Sequence, residues 1–304
     1  MIKSFFPLLL VMLYLAVMLF KNINYQGKLS SLLMGPTIVF VIITVIMAII
    51  FYSVWDVNMW EGWTLGSNGT NTIFCEQNHL TEFIRQRANT WSNLAYLFYG
   101  LICAKLALHD KASKPQANFI TRNPAISWVF GFTFLYLCFG SFFFHASITR
   151  IGQQFDMGGT YALVAFPVLV NLSRIYRHYK AISDKRLAQI TIVAAIVVFA
   201  LLFGLKWQIN SSLALPALIV AVLVSTLWYH GISKAPYQIW FGALAMLSMS
   251  TAFFIWWQDV AKNWCDPESL IQGHAFWHVL TGLGGLFVYL MLRSEKTTAP
   301  PTQE

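Results

Sequence analysis

Seven apolar stretches, each long enough to cross a bilayer, follow one another from Asn89 onward: 89–108, 125–145, 155–173, 188–206, 212–229, 237–257 and 271–292. A transmembrane helix needs about 20 such residues, because a helix pairs its own backbone polar groups where no water can. The links between the stretches are mostly short, as in a compact bundle. Two further apolar stretches lie upstream, 5–20 and 31–55. The second is a full span. The first, after Lys3, resembles the apolar part of a signal sequence as much as an anchor; lacking a small-residue cleavage site, it reads as a retained helix. The expectation is an all-α polytopic membrane protein, a seven-transmembrane helix bundle with one or two additional N-terminal hydrophobic helices. Its parts are 1–55 (N-terminal helices), 56–88 (a polar segment outside the cytoplasm), 89–292 (the seven-helix core) and 293–304 (a polar cytoplasmic tail).

Composition removes the other classes. Hydrophobic residues are 57% of the chain and charged residues 11%, against about 25% charged in a soluble domain. A soluble globule, a disordered chain and a small disulfide-stapled domain are excluded. The net charge of +8 carries no nucleic-acid footprint, since no basic run or face accompanies it. It is read instead by loop. Lys111, Lys114, Arg122, Arg174, Arg177, Lys180, Lys185, Arg186, Lys234, Arg293 and Lys296 fall on one side of the core. The other side holds Asp56, Glu61, Glu76, Glu82, Asp259, Asp266 and Glu268, with Arg85, Arg87, Arg150, Lys206 and Lys262 as exceptions. The positive-inside rule makes the first side, and the C terminus, cytoplasmic.

Ionisable residues inside a span are scarce and often functional. Three places stand out. Ser141-Phe-Phe-Phe-His145 puts a hydroxyl and an imidazole on one face at the outer end of the second core helix. Asp156 opens the third. His274-Ala-Phe-Trp-His278, at the outer end of the last, is a second i, i+4 pair. Two histidines so spaced offer a metal two ligands, and His145 supplies a third. Three neutral imidazoles with an open fourth position suit catalytic zinc. Against this stand ordinary readings: an interfacial histidine as an anchor, and an aspartate at a helix start as an N-cap. The agreement of all three places in depth and side favours a joint site. His79, His109, His178 and His230 read as loop or helix-end residues. Cys103 and Cys138 read as small buried hydrophobes. Cys75 and Cys265 lie in polar loops on one side, where an oxidising compartment permits a bridge without requiring one. Gly282, Gly284 and Gly285 read as close helix packing.

These residues resemble the alkaline ceramidases, which belong to a superfamily of seven-helix membrane hydrolases with the progestin and adiponectin receptors. The likeness rests on S-x-x-x-H at Ser141–His145, the aspartate eleven residues later at Asp156, and H-A-x-W-H at His274–His278. Cys75-Glu-Gln-Asn78, Asn89-Thr-Trp-Ser-Asn-Leu94 and the stretch Trp256–Cys265 extend it, so that it covers about residues 73–292. The resemblance implies zinc held by His145, His274 and His278, Asp156 acting on the activated water with Ser141 beside it, and a Cys75–Cys265 bridge. It implies hydrolysis of a ceramide-type lipid to a sphingoid base and a free fatty acid. The family also binds calcium near its N terminus. Glu76 and Asn78 match that pattern, but Ile73 and Gln86 stand where carboxylates are expected, and calcium is held by hard oxygen charge. Glu76 and Asn78 are left as candidates for at most a weak calcium site, short of the family type.

Other classes are a hydrolase of a different membrane lipid (an ester or an N-acyl amino-acid lipid) and a non-catalytic zinc-containing lipid receptor or sensor. A transporter fits less well, since its ionisable groups belong near the midplane of several helices. Oligomeric state has no sequence signal here.

Overall fold

The computed structural model describes residues 22–67, 69 and 73–296, together with Tyr14 and Val17. The stretch 5–20 expected as a first helix, and the tail from 297 onward, therefore lie outside the described residues. Ten helices are set out in order: α1 (Leu29–Ser53), α2 (Arg87–Ser92), α3 (Leu94–Ser113), α4 (Phe119–Arg122), α5 (Pro124–Ser147), α6 (Arg150–Tyr179), α7 (Asp184–Gly204), α8 (Ser211–Ser233), α9 (Ile239–Val260) and α10 (Gly273–Arg293). Among the described residues, eight spans are long and apolar enough to cross a membrane, α2 and α3 together counting as one. The protein is an all-α polytopic membrane protein.

One span clearly outruns the apolar run that announced it. α6 extends over 30 residues because its polar ends, Arg150 to Gln154 and Arg174 to His178, continue the helix past the apolar section. Ends are set by local chemistry. The Thr149 side chain accepts from Gly152 N at the start of α6, Ser183 accepts from Arg186 N before α7, and Asn210 accepts from Ser212 N before α8. Pro124 starts α5 at the position where its missing N–H costs nothing.

α1 packs on α3 at the rim, burying only Leu32 and Pro36. Its remaining surface, from Met34 through Val41, Val45 and Ile49, faces outward as a lipid-exposed helix does. The centre is built by α3, α5, α6 and α10. α5 and α6 approach backbone to backbone. A Cβ on Gly140 would stand 2.4 Å from Phe155 O, and one on Gly159 would stand 2.6 Å from Leu137 Cα. The glycines of α10 work differently. Gly282 receives the rings of Tyr96 and Tyr99, and Gly285 receives Phe134, so aromatic side chains fill the notches. Gly284 has only ordinary contact, its nearest neighbour being Ala245 O at 3.5 Å.

At the far end of the bundle several charges assigned above to loops are inside the protein. Arg293 is fully buried and pairs with buried Asp110 of α3. Arg174 of α6 pairs with Glu295 and lies 3.7 Å over the Tyr229 ring, while Tyr229 donates to Glu295 at 2.6 Å. Asn118 and Asn24 each donate to the carbonyls of Arg293 and Glu295. Residues 293–296 are therefore packed across the end of the helices and do not hang free. The charges of Arg293 and Arg174 are met by the carboxylates of Asp110 and Glu295, and a sum over loop charges miscounts them. Ionisable groups thus gather at both ends of the bundle.

Candidate metal centre and active site

α5 and α10 run in opposite directions, so the last turn of α5 meets the first turns of α10. His145 thereby faces His274 and His278, which are one turn apart. The three rings lie 4.6–5.0 Å apart by centroid, and His145 Nε2 is 3.3 Å from His274 Nε2. All three are buried, and one nitrogen from each lies within 4.8 Å of the others. Ser141 sits one turn before His145 on the same face of α5. Because Gly140 lets α6 close onto α5 at Phe155 and Asp156, the Ser141 hydroxyl interacts with the Asp156 carboxylate. The two residues that the S-x-x-x-H spacing and Asp156 singled out are thus beside each other.

Asp156 is not at a helix start. α6 begins at Arg150 with Thr149 as its cap, which places Asp156 in the second turn. The N-cap reading fails for a physical reason: the orphan N–H groups there are already served by Thr149.

The polar segment before α2 holds this end together. α5 stops because Ile148 turns left-handed, at φ 50°, a costly conformation for a β-branched residue. The carbonyls of His145, Ala146 and Ser147, left without helical partners, accept from Gln86 N (3.1 Å), Arg85 N (3.0 Å) and Arg85 Nη1 (2.7 Å). The backbone from Leu65 to Gly66 pairs with the same turn through Ile148 O and Thr149. Glu76 caps α2, accepting from Ala88 N at 2.5 Å and Asn89 N at 2.8 Å. Phe74 stacks on the His274 ring at 3.6 Å. Asp259, buried at the end of α9, accepts from Cys75 N (2.9 Å) and from His274 N (3.1 Å) at the start of α10. Lys262 donates to Phe74 O, and Cys75 and Cys265 form a disulfide.

The outer ring nitrogens of two histidines are also engaged. His145 Nδ1 is 2.6 Å from Gln86 Oε1, and His278 Nδ1 is 2.8 Å from Ser92 Oγ. Gln86, Ser92, Phe74 and Asp259 carry no metal-ligand spacing, so pattern reading alone did not mark them as partners of the histidines. Lys206 is one of the basic residues on the carboxylate-rich side of the core. It is 7% exposed, its ammonium lies 4.3 Å from the Trp207 ring, and it shares a field with Asp156. Burial pushes it below the ordinary lysine value, and Asp156 opposes that fall. Its charge is used inside the protein, beside Asp156 and the Trp207 ring. The aromatic side chains near this end pack in separate groups. Phe142 packs on Phe51 and Trp91, Phe143 on Trp60 and Phe155, and Trp277 on Phe253 and Trp256.

A family model described as Ceramidase matches residues 67–302, which contain the three histidines, Ser141, Asp156 and both bridged cysteines. The chain belongs to the ceramidase family. No match was found among the curated proteins. Membership makes ceramide hydrolysis the general chemistry of this ceramidase-family chain, with a lipid substrate reached from a bilayer. Within it, the oxygens of Glu76 and Asn78, the two residues matching a calcium pattern, are engaged by protein donors: Glu76 by α2, and Asn78 Oδ1 by Gln86 Nε2 at 2.7 Å.

Glu76 gives a pH prediction. Burial raises its carboxyl from 4.5 to about 7, against the two N–H groups that favour its charged form. The native state then holds a proton that the unfolded chain releases. Stability contributed at this position is greatest below the unfolded value and falls as pH rises toward about 7. Glu76→Gln removes that slope. Thermal melts across this range are expected to show wild type losing ground to the variant as pH rises, and parallel profiles would count against this assignment.

Proposed function

We propose that this protein is a zinc-dependent amidohydrolase that cleaves the amide of a ceramide-type lipid, releasing a sphingoid base and a free fatty acid. The observation that carries the reading is the convergence of His145, His274 and His278. Their donor set fits zinc. Nε2 atoms bound to a tetrahedral zinc at about 2.0–2.1 Å stand about 3.3 Å from one another, and the facing Nε2 atoms of His145 and His274 are 3.3 Å apart. With Nδ1 of His145 and His278 turned to Gln86 and Ser92, Nε2 of each is left for a ligand bond. Zinc held there supplies Lewis acidity, making water nucleophilic near neutral pH and drawing charge from an amide carbonyl.

The chain's own groups do the rest. Asp156 accepts the proton of the attacking water and returns it to the amine as the C–N bond breaks. Ser141 donates to that carboxylate while it is charged and holds its orientation; once Asp156 carries the proton, the hydroxyl is released to donate to the oxyanion that develops on the carbonyl oxygen. The buried position of the histidines, at the end of spans lined by aromatic side chains, suits a substrate whose amide sits near the headgroup while its chains remain among the helices. The seven-helix hydrolase core is 89–292, the C terminus is cytoplasmic, and the site opens toward the periplasmic or lumenal side. Arg177, Lys180, Lys185 and Arg186 at the opposite end support that orientation.

The test is zinc per chain in purified wild type beside His145→Ala and His278→Ala, followed by turnover of a ceramide. Stoichiometric zinc in wild type, lost in both variants along with turnover, is expected. Zinc indifferent to both substitutions would end the reading. Zinc without turnover of any N-acyl lipid would favour a receptor.

A further inference from the structure

We propose that Gln86 is a positioning residue for His145: it fixes which ring nitrogen carries the proton and aims the other into the histidine cluster. The inference rests on the metal-site reading and names a residue that the histidine pattern does not contain. Gln86 is 1% exposed, and each of its polar side-chain atoms is used. Nε2 donates to Asn78 Oδ1 at 2.7 Å. Oε1 accepts from Asn89 Nδ2 at 3.2 Å and lies 2.6 Å from His145 Nδ1. With Oε1 accepting from Asn89 and Nε2 turned to Asn78, the amide presents an acceptor to the imidazole. His145 Nδ1 is then the donor, its proton stays on that nitrogen, and Nε2 keeps its lone pair.

The backbone makes the aim rigid. Gln86 N donates to His145 O at 3.1 Å, so the residue that grips the ring also closes the last turn of the helix that bears it. The next turn of chain reaches the other helix. Ser92 Oγ is 2.8 Å from His278 Nδ1 and donates to Asn89 O at 2.9 Å. Glu76 anchors the start of α2 between these two grips. One short element therefore sets ligands on α5 and α10, which come together only in the folded bundle. His274 has no such partner: its Nδ1 is buried without a hydrogen bond among the described residues, and the Phe74 ring orients it instead.

The experiment compares Gln86→Met with Gln86→Glu in the full-length detergent-solubilised protein. Zinc affinity is read by competition with a chromophoric chelator, and ligand geometry by the visible spectrum of the cobalt(II)-loaded protein. Gln86→Met keeps the side chain's length and removes the acceptor, so zinc affinity is expected to fall about 10–100-fold, as for loss of other partners of metal-bound histidines. Gln86→Glu keeps an acceptor on Nδ1 but loses the donor to Asn78. It is expected to retain zinc and to shift the cobalt bands, because a carboxylate makes the imidazole more basic. Wild-type affinity in Gln86→Met overturns the proposal. Equal loss in both variants overturns it too, since that pattern follows the Asn78 bond and not the grip on His145. If Gln86→Met does not yield monodisperse protein, the cobalt spectrum of Gln86→Glu decides, and an unshifted spectrum overturns it. Wild type that binds no zinc ends the metal-site reading and this inference together, whereas a zinc-replete wild type with indifferent variants ends the inference alone.

Discussion

Replacing Asp156 with asparagine is expected to lower ceramide turnover by about 10²–10⁴-fold, the usual contribution of a positioned general acid–base, while zinc per chain stays at the wild-type level. Asparagine matches the carboxylate in size and still meets Ser141, so α6 keeps its closure over Gly140. It cannot take a proton from water. The three clustered histidines are on α5 and α10, not on α6, so metal content and turnover are expected to separate in this variant. That separation distinguishes a group acting on the reaction from one that holds the cluster. In His145→Ala, by contrast, both are lost. Steady-state rates and metal analysis on the same preparation check the point. A near-wild-type rate in Asp156→Asn would remove Asp156 from the mechanism without touching the metal site.

The second large effect lies at the other end of the molecule and concerns stability. Asp110→Asn is expected to cost about 3–5 kcal/mol, the penalty for leaving one member of a buried ion pair uncompensated. Both Nη groups of Arg293 reach the two carboxylate oxygens of Asp110, and neither side chain is exposed. The asparagine retains one acceptor and loses the charge. His274 and Arg293 are the second and last residues of α10, about 28 Å apart at 1.5 Å per residue, so the zinc content of the folded fraction is expected to hold. Asp184→Asn is the control. Its side chain is 21% exposed and those of its arginine partners, Arg122 and Arg177, 9% and 18%, so solvent can screen the remaining charge and a smaller cost than at Asp110 is expected. Melting temperatures in one detergent give the comparison. Equal shifts would mean that burial of the Asp110–Arg293 pair does not control its contribution.

The contrast between these two ends shows how far pattern carries. The spans were legible because the bilayer demands length and apolarity of every helix, and α5, α8 and α10 begin and end within a few residues of their apolar runs. Those of α6 were less so, since Arg150 and Arg174 continue its hydrogen bonding beyond the apolar section. His145, His274 and His278 were legible because a helix returns to the same face after one turn, and because three ionisable residues at one depth are hard to explain singly. Gln86 was visible only as a departure from a calcium pattern. Its grip on His145 depends on the left-handed turn at Ile148 and on carbonyls at the end of α5 that draw residues 85 and 86 across. No periodicity in residues 73–93 encodes that encounter.

The sequence by itself determined that the chain is a bundle of membrane-crossing helices, which side chains can reach a common depth, and which chemistry three imidazoles and a carboxylate permit. These follow from local rules: hydrophobic length, helical repeat and ligand type. Only the tertiary structure decided which faces meet. The closure of α6 on α5 at Gly140, the opposition of α5 and α10, the strap from Glu76 to Ser92, and the burial of Arg174 and Arg293 against Glu295 and Asp110 join residues far apart in the chain. Such contacts depend on how helices pack against one another, and helix packing is set by the shapes of whole surfaces and not by the spacing along any one of them.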